Sequence, residues 1–452
     1  MNRDNLRIGL ILRRLLQTDR PVPDRTTAAI EAELAQNYRW NFAVNLLDVA
    51  NFWFGLSFIS SATIVPLFIS KLSDSPIPVG LAAVIAQGGW FLPQLFVANF
   101  VERLPRRKPM VINLGFFLER LPMWFLVLAA LLALRRPTLA LVLFLLAYAW
   151  HGLGAGLVGP AWQDLIARVF AVEQRGRFLG ISLFVGAAAG AISAGFSARL
   201  LRDYPFPTNF VYSFSLAALF ITASWFFLSL TREPALPVTA PRRSQRQFLA
   251  ELPTLVRQEH NFRHFLWARL LLALSGMGTG FVTVAAVQRW DVPDSVVGGY
   301  TLAFLVGQTA GNLFFGLLAD RRGHKLSLEL AGLFSFSAFA LAWLAPAAGW
   351  YFLIFALLGV VTGATVVSGI LVLMEFSVAE KRPTYAGLTN TAVGVVSTAG
   401  PLLGALLAAA DYSLLFAASA FIGLLAFATM RWWVQEPRFW HPAQQSAGKR
   451  AQ

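Results

Sequence analysis

Apolar runs long enough to cross a bilayer alternate along this chain with short polar breaks. A spanning helix needs roughly 20 apolar residues, at 1.5 Å each, to cross about 30 Å of hydrocarbon. Runs of this kind fall at 42–69, 78–100, 110–134, 138–163, 178–201, 208–231, 262–287, 296–319, 327–345, 350–374, 386–409 and 412–433. The breaks carry turn formers: Pro76 and Pro78, Pro105 and Pro109, Pro137, Pro205 and Pro207, Arg322-Gly323, Pro346 and Pro383. The longest interior break, 232–261, contains Pro234, Pro237, Pro241, Arg242, Arg243 and Arg246, with a short helix predicted near Phe248–Glu259. It divides the runs six and six. The pattern predicts an all-α membrane protein of about twelve transmembrane helices in two pseudo-symmetric six-helix bundles, 42–231 and 262–433. Residues 1–41 form an N-terminal segment, 232–261 a linker and 434–452 a tail.

Composition agrees with this reading. Of 452 residues, 57% are hydrophobic and only 13% charged, about half the charged share of a soluble domain. The net charge of +14 would suggest nucleic acid in a soluble chain, but here the basic residues sit in the breaks. With the run-end residues Arg199, Arg263 and Arg431 counted in the adjoining loops or tail, the N-terminal segment, even-numbered loops and tail hold 29 Lys and Arg and the odd-numbered loops hold 6, while Arg120 and Arg269 lie inside runs. The positive-inside rule then places both termini in the cytoplasm of a multi-pass cell-membrane protein, with the lipid bilayer and not nucleic acid as its partner. With no cysteine, thiol catalysis and Cys-ligated metal are excluded. Met1–Gln17 mixes Arg3, Arg7, Arg13 and Arg14 with leucines and isoleucines. It reads as a basic amphipathic helix on the inner leaflet rather than a cleaved signal.

The two halves repeat each other. The loop after run 2 reads Glu102-Arg103-Leu104-Pro105-Arg106-Arg107-Lys108, and the loop after run 8 reads Asp320-Arg321-Arg322-Gly323-His324-Lys325. The loops after runs 4 and 10 carry Glu173-Gln174-Arg175 and Glu380-Lys381-Arg382, each with a glycine (Gly180, Gly387) seven residues past its glutamate. Parallel repeats about an axis along the membrane normal explain this order. Bidentate pairing of arginine with carboxylate makes Asp164 a partner for Arg106 or Arg107, and Glu375 a partner for Arg321 or Arg322. Such pairs would latch one conformation and break in another. Small residues in runs 5 and 11 (Gly180, Gly186, Gly190, Gly195; Gly394, Gly400, Gly404) are expected to let helices approach closely.

The stretch Gly311 to Lys325, a glycine-bearing helix end followed by Asp-Arg-x-Gly-x-basic, resembles the loop signature of the major facilitator superfamily. The first-half copy departs from it, with Glu102 in place of Asp and Pro105 where Gly is usual. The resemblance covers residues 42–433. It implies transport by alternating access around a central cavity lined mainly by spans 1, 4, 7 and 10.

Ionisable groups inside spans are costly and are functional hypotheses by default. Asn41, Asn45 and Asp48 share one helical face of span 1, a polar stripe expected to face a cavity. Aligning Asn41 with Asn261 places Arg269 of span 7 at a depth similar to that of Asp48, as its possible partner. Span 3 carries Glu119 and Arg120, about 100° apart on an α-helix and so expected to have separate partners, and Pro122 beyond them is expected to kink the helix. His151 of span 4 titrates near neutrality in an ordinary environment. Asn45, Asp48, Glu119, Arg120, His151 and Arg269 are therefore the substrate or proton pathway candidates. Glu102, Arg103, Arg106, Arg107, Asp164, Asp320, Arg321, Arg322 and Glu375 are the latch candidates.

No nucleotide-binding loop, nucleophile elbow or His-Glu-x-x-His zinc motif occurs. The chain is not expected to be an enzyme, to carry a cofactor or metal, or to use ATP. The sequence predicts a secondary active transporter, expected monomeric, for a small organic solute. The proton is its candidate coupling ion, and the aromatic content favours efflux. A transporter of lipid or lipophilic metabolites and a transport-dead receptor or assembly factor stay open as alternatives.

Overall fold

The computed structural model of the chain describes residues 13–20, 22, 25–101, 104–235, 256–257, 259–376 and 382–437. Its α-helices are α1 (Thr27–Ser57), α2 (Ile64–Ser70), α3 (Ile77–Val101), α4 (Leu121–Leu132), α5 (Pro137–Val169), α6 (Val172–Asp203) and α7 (Thr208–Ser229), followed by α8 (His260–Ser275), α9 (Thr279–Trp290), α10 (Asp294–Arg322), α11 (His324–Leu344), α12 (Trp350–Phe376), α13 (Arg382–Ala410) and α14 (Tyr412–Trp432). Two π-helical stretches, Met110–Leu114 and Phe116–Arg120, precede α4, and a 3₁₀ turn at Gly276–Gly278 joins α8 to α9. No strand occurs among the described residues. Ten segments are long and apolar enough to span a membrane, from Met110–Leu132 to Tyr412–Trp432. The first two predicted spans correspond to α1 with α2 and to α3. At 31 and 25 residues, α1 and α3 are long enough to cross, and Asn41, Asn45, Asp48 and Asn51 lower the hydropathy of α1.

Two expectations are corrected. The run 42–69 is not one helix: α1 starts at Thr27, where Thr26 caps it by accepting from Ala29 N–H, and ends at Ser57, seven residues before α2 begins. Span 3 is π-helical as far as Arg120, so Pro122 falls in the first turn of α4 instead of kinking a continuous α-helix. Proline lacks an N–H, and the first helical turn is where that loss costs least. The N-terminal segment touches protein at its described end. Leu16 is buried with Leu104, Met110, Leu165 and Phe170, and Asn113 Nδ2 donates to the Leu15 carbonyl at 2.6 Å. Residues 1–12 and the predicted linker helix, apart from residues 256, 257 and 259, lie outside the described residues.

The chain forms two compact units. One comprises residues up to Ser60 together with Ile85–Pro241; the other comprises Ser61–Val84 together with the chain from Arg242 onward. Polar contacts explain the place of Ser61–Val84 in the second unit. Thr63 Oγ1 and Thr301 Oγ1 are 2.6 Å apart, Thr283 Oγ1 donates to Ala62 O at 2.9 Å, and Lys71 Nζ lies 2.8 Å from Asp294 Oδ1.

Glycine seams pack each unit, only in part where the sequence suggested. In the first unit a Cβ on Gly156 would overlap the Gly89 carbonyl oxygen, joining α5 to α3. In the second, a Cβ on Gly359 would overlap the Phe304 carbonyl oxygen and one on Gly363 would lie 2.6 Å from the Gln308 carbonyl oxygen, joining α12 to α10. Predicted positions Gly180 and Gly195 have nothing within 4 Å of a built Cβ, whereas Gly186 lies against Trp53 and Gly404 against Met277. Close seams thus fall on spans 2 and 4 and on their repeats 8 and 10, and a Cβ on Gly154 of span 4 would overlap the Leu118 carbonyl oxygen of span 3 as well. Lipid offers no hydrophobic force between helices, so close backbone approach is a main source of packing energy.

Candidate functional site

Four buried ionisable side chains of the first unit form one cluster. Asp48, Glu119, Arg120 and His151 are 4%, 6%, 4% and 7% exposed. In α1 the polar side chains recur every three or four residues and so share a face. That face turns to α7, where Ser224 Oγ donates to Asp48 Oδ1 at 2.5 Å. Glu119 and Arg120 bind each other through Arg120 Nη1 and Glu119 Oε2, although an α-helix would send them to separate partners. Their stretch is π-helical, and both side chains are buried where each supplies the counter-charge that the apolar surroundings lack. Arg120 is within electrostatic reach of Asp48. His151 Nδ1 meets the Glu119 carbonyl oxygen at 2.8 Å. A carbonyl only accepts, so this geometry needs hydrogen on Nδ1. Counting Asp48 and Glu119 against Arg120, and His151 as neutral, the cluster carries one net negative charge.

The remaining residues of the polar stripe do different work. Asn41 does not line a cavity. Its Nδ2 donates to the Arg232 carbonyl and its Oδ1 accepts from Arg232 N–H, both at 2.9 Å, clasping the start of α1 to the end of α7. Asn261 makes the same pair of bonds to Gln435 beyond α14, at 3.0 and 2.8 Å. Asn45 Nδ2 donates to the Asn41 carbonyl at 2.8 Å, while its Oδ1 is buried without a partner. Arg269 belongs to the second unit. Among the described residues it makes no ion pair or hydrogen bond, and its Nε is buried and unpartnered.

A second polar cluster surrounds the loop before the π-helical stretch. Arg107 Nε donates to Asp164 Oδ2 at 2.6 Å, one of the two pairings considered from sequence. Arg168 joins them, donating to Asp164 at 3.1 Å and to the Pro105 carbonyl at 3.0 Å. Arg106 reaches the Arg20 carbonyl at 3.4 Å. The carboxylate that closes the cluster is Glu233, which sequence reasoning missed. It accepts from the Arg107 and Lys108 amides at 2.7 and 2.8 Å, at the N-terminus of a helical segment, where the dipole favours an anion. Burial holds the Glu233 carboxyl above the ordinary glutamate range, against the two amide bonds and the nearby Arg168 and Arg107 charges. Burial likewise lowers Arg107, whose charge Arg168 also opposes, and it lowers Lys108.

The second unit repeats this arrangement in part. Gly323 has φ of +90°, and a Cβ there would overlap the Glu436 carboxylate, so Glu436 stands beside the start of α11. Glu329, buried in α11, faces Arg431 at 3.6 Å and Lys325 at 4.0 Å. Arg321 and Arg322 are exposed at the end of α10. Glu102 and Arg103 lie outside the described residues, as do the side chains of Asp320 and Glu375.

Comparison with known proteins follows the same lines. Residues 285–451 match the family profile of the Major Facilitator Superfamily. The 4-hydroxybenzoate transporter PcaK of Pseudomonas aeruginosa is 37% identical over 86 residues, 18% of this chain and 19% of that protein, so the match spans about a fifth of the relative's length. A bacterial homologue of the human lysosomal transporter Spinster, inward-facing and occupied, superposes with a TM-score of 0.67 at 14% identity, covering 87% of this chain and 96% of that one. A D-xylose–proton symporter superposes with a TM-score of 0.65 at 14% identity, over 88% of this chain and 98% of that one. At such identities the structural likeness is one of fold.

Proposed function

We propose that the chain, whose residues 285–451 match the profile of the Major Facilitator Superfamily, is a transporter of that family that carries a small organic solute by alternating access, coupled to protons through Asp48. The observation that carries this reading is the buried cluster of Asp48, Glu119, Arg120 and His151, which sets two carboxyl groups against one arginine. A net charge in low dielectric is expensive, and uptake of one proton removes it. Asp48 is the acceptor, because its hydrogen bond comes from a serine and not from an arginine. Support for an organic solute comes from relatives whose names specify 4-hydroxybenzoate and D-xylose. These are different chemistries, so the names select the size class and not one compound. The protein sits in the cell membrane with both termini in the cytoplasm. Arg107, Asp164, Arg168 and Glu233 act there as a conformational latch, with Asp320, Arg321, Arg322 and Glu375 as its counterpart.

Proteoliposomes with an imposed pH gradient test the proposal. Wild-type protein should drive uptake or release of a solute, and Asp48→Asn should lose gradient-driven flux while keeping exchange of solute for solute. Full gradient-driven flux in Asp48→Asn would remove the residue from coupling. Binding without flux for every solute tried would favour a receptor on the same scaffold.

A further inference from the structure

Among the described residues Arg269 is a charge without a counter-charge. It sits in α8, within the segment His260–Trp290 that is apolar enough to span a membrane. Two residues earlier Trp267 is 57% exposed. Arg269 lies about 200° around the helix from it, on the side of Phe262 and Phe265, which are buried at 1% and 0%. Its guanidinium therefore faces into the unit and not toward lipid. It rests against α12 at Gly369, where a Cβ would come within 2.8 Å of Nη2 and 3.2 Å of Cζ. No larger residue at 369 admits it in this pose.

Arg269 is half-buried, with its Nε fully buried, and the contrast with the buried arginines Arg107 and Arg120 gives this position its meaning. Arg107 has Asp164 and Arg120 has Glu119. Arg269 has neither carboxylate nor carbonyl among the described residues, and its Nε is buried and unsatisfied. A guanidinium offers five donors in a planar fork and stays charged. Left unpaired in a membrane-spanning segment, it is costly. That cost is removed when an anion arrives from outside the protein.

We propose that Arg269 is the anion-binding residue of the second unit and that the transported solute is an organic acid whose carboxylate it holds in bidentate fashion, with Gly369 providing the seat. This rests on the transport function proposed above and adds the substrate's charge to it. The geometry suits a planar two-oxygen group, which the fork matches better than a lysine would.

The test uses full-length protein in a neutral detergent. Melting curves are recorded for wild type, Arg269→Gln, Arg269→Lys and Gly369→Ala, without ligand and with a panel of aliphatic and aromatic monocarboxylates, 4-hydroxybenzoate included, each beside its carboxamide. Without ligand, Arg269→Gln should melt at or above wild type, since it removes an unpaired charge. At least one carboxylate should stabilise wild type while its carboxamide does not. Arg269→Gln should weaken that binding roughly thirtyfold or more, the scale for removing one partner of a buried charge pair. Arg269→Lys should retain part of it, and Gly369→Ala should weaken it by displacing the guanidinium. Three results overturn the proposal: a clear drop in ligand-free melting for Arg269→Gln, which would reveal a structural partner; no stabilisation of wild type by any carboxylate; or equal stabilisation of wild type and Arg269→Gln. A repeat with anionic phospholipid in the micelles separates sources of the anion, and stabilisation by the phospholipid alone overturns the solute assignment. These readouts need no flux, so loss of the transport reading and loss of the anion site are seen separately.

Discussion

Replacing Asn41 by Leu should cost the protein about 2–4 kcal/mol. Asn41 is fully buried and makes two hydrogen bonds to the backbone of one residue, Arg232, on a segment 191 positions away. Each such bond contributes about 0.5–1.5 kcal/mol net, and a buried backbone group left without a partner costs about 1–3 kcal/mol. Leucine keeps most of the volume but strands one N–H and one carbonyl, and partial access to water at Arg232 brings the sum to the stated range. In a unit of this size each kcal/mol moves the midpoint by about 2–4 °C, so the apparent melting temperature should fall by roughly 5–15 °C. Tryptophan fluorescence during heating of detergent-solubilised protein reads this directly. Asn261→Leu should give a loss of the same size, because Asn261 makes the equivalent bonds to Gln435. Asn41→Asp should also lose stability, since a carboxylate accepts from Arg232 N–H but cannot donate to its carbonyl. A melting temperature for Asn41→Leu within about 1 °C of wild type would refute the reasoning.

Two further outcomes follow from the packing and the loop cluster. Gly359→Ala should destabilise by about 1–3 kcal/mol, the usual cost of overpacking, because its Cβ overlaps the Phe304 carbonyl, whereas Gly180→Ala has open space and should be neutral or stabilising; equal melting of the two variants would contradict the seam. Glu233→Gln should change how stability depends on pH: burial raises the folded carboxyl above its unfolded value, so the wild-type contribution is present at pH below the ordinary glutamate range and is lost as pH rises through the folded value. The variant, which does not titrate, should gain relative to wild type as pH increases over that window, and a difference that stays constant or reverses would show that the amide bonds outweigh burial.

The helical architecture was legible because apolar run length is a strong signal in a membrane protein. Lipid cannot satisfy a backbone N–H, so a long apolar run has almost no alternative to a helix. Run length does not record where a helix ends inside an apolar stretch, which is why the break after Ser57 and the π-helical start of span 3 were missed. The Arg107–Asp164 contact was in reach because both residues lie just beyond the ends of apolar runs, where few carboxylates are available to an arginine. Glu233 was missed for want of one comparison. Arg232-Glu233-Pro234 and Gln435-Glu436-Pro437 both close a six-span half with Glu-Pro, and placing them side by side marks both glutamates. Pairing of Glu119 with Arg120 was not legible, since it depends on a helical winding that the sequence does not announce.

What the two units share and what they do not share separates scaffold from chemistry. The asparagine clasp, the Glu-Pro glutamate near a helix start and the glycine seam each occur twice, at corresponding places. A device kept in both halves serves what both halves need, which is a stable bundle. The Asp48–Glu119–Arg120–His151 cluster and Arg269 occur once each. The Asn41–Asn261 alignment sets Ala268 opposite Asp48. The repeat of the loops after runs 2 and 8 sets Ser337 and Ala338 opposite Glu119 and Arg120, and that of the loops after runs 4 and 10 sets Leu358 opposite His151. The second unit thus has small or apolar residues where the first has its cluster, and the first has Val49 where the second has Arg269. Packing gives no reason for this difference, because the same packing is achieved without the charges in the opposite half. The asymmetry is therefore where the proposed coupling and solute chemistry should be sought, at Asp48 in one unit and at Arg269 in the other.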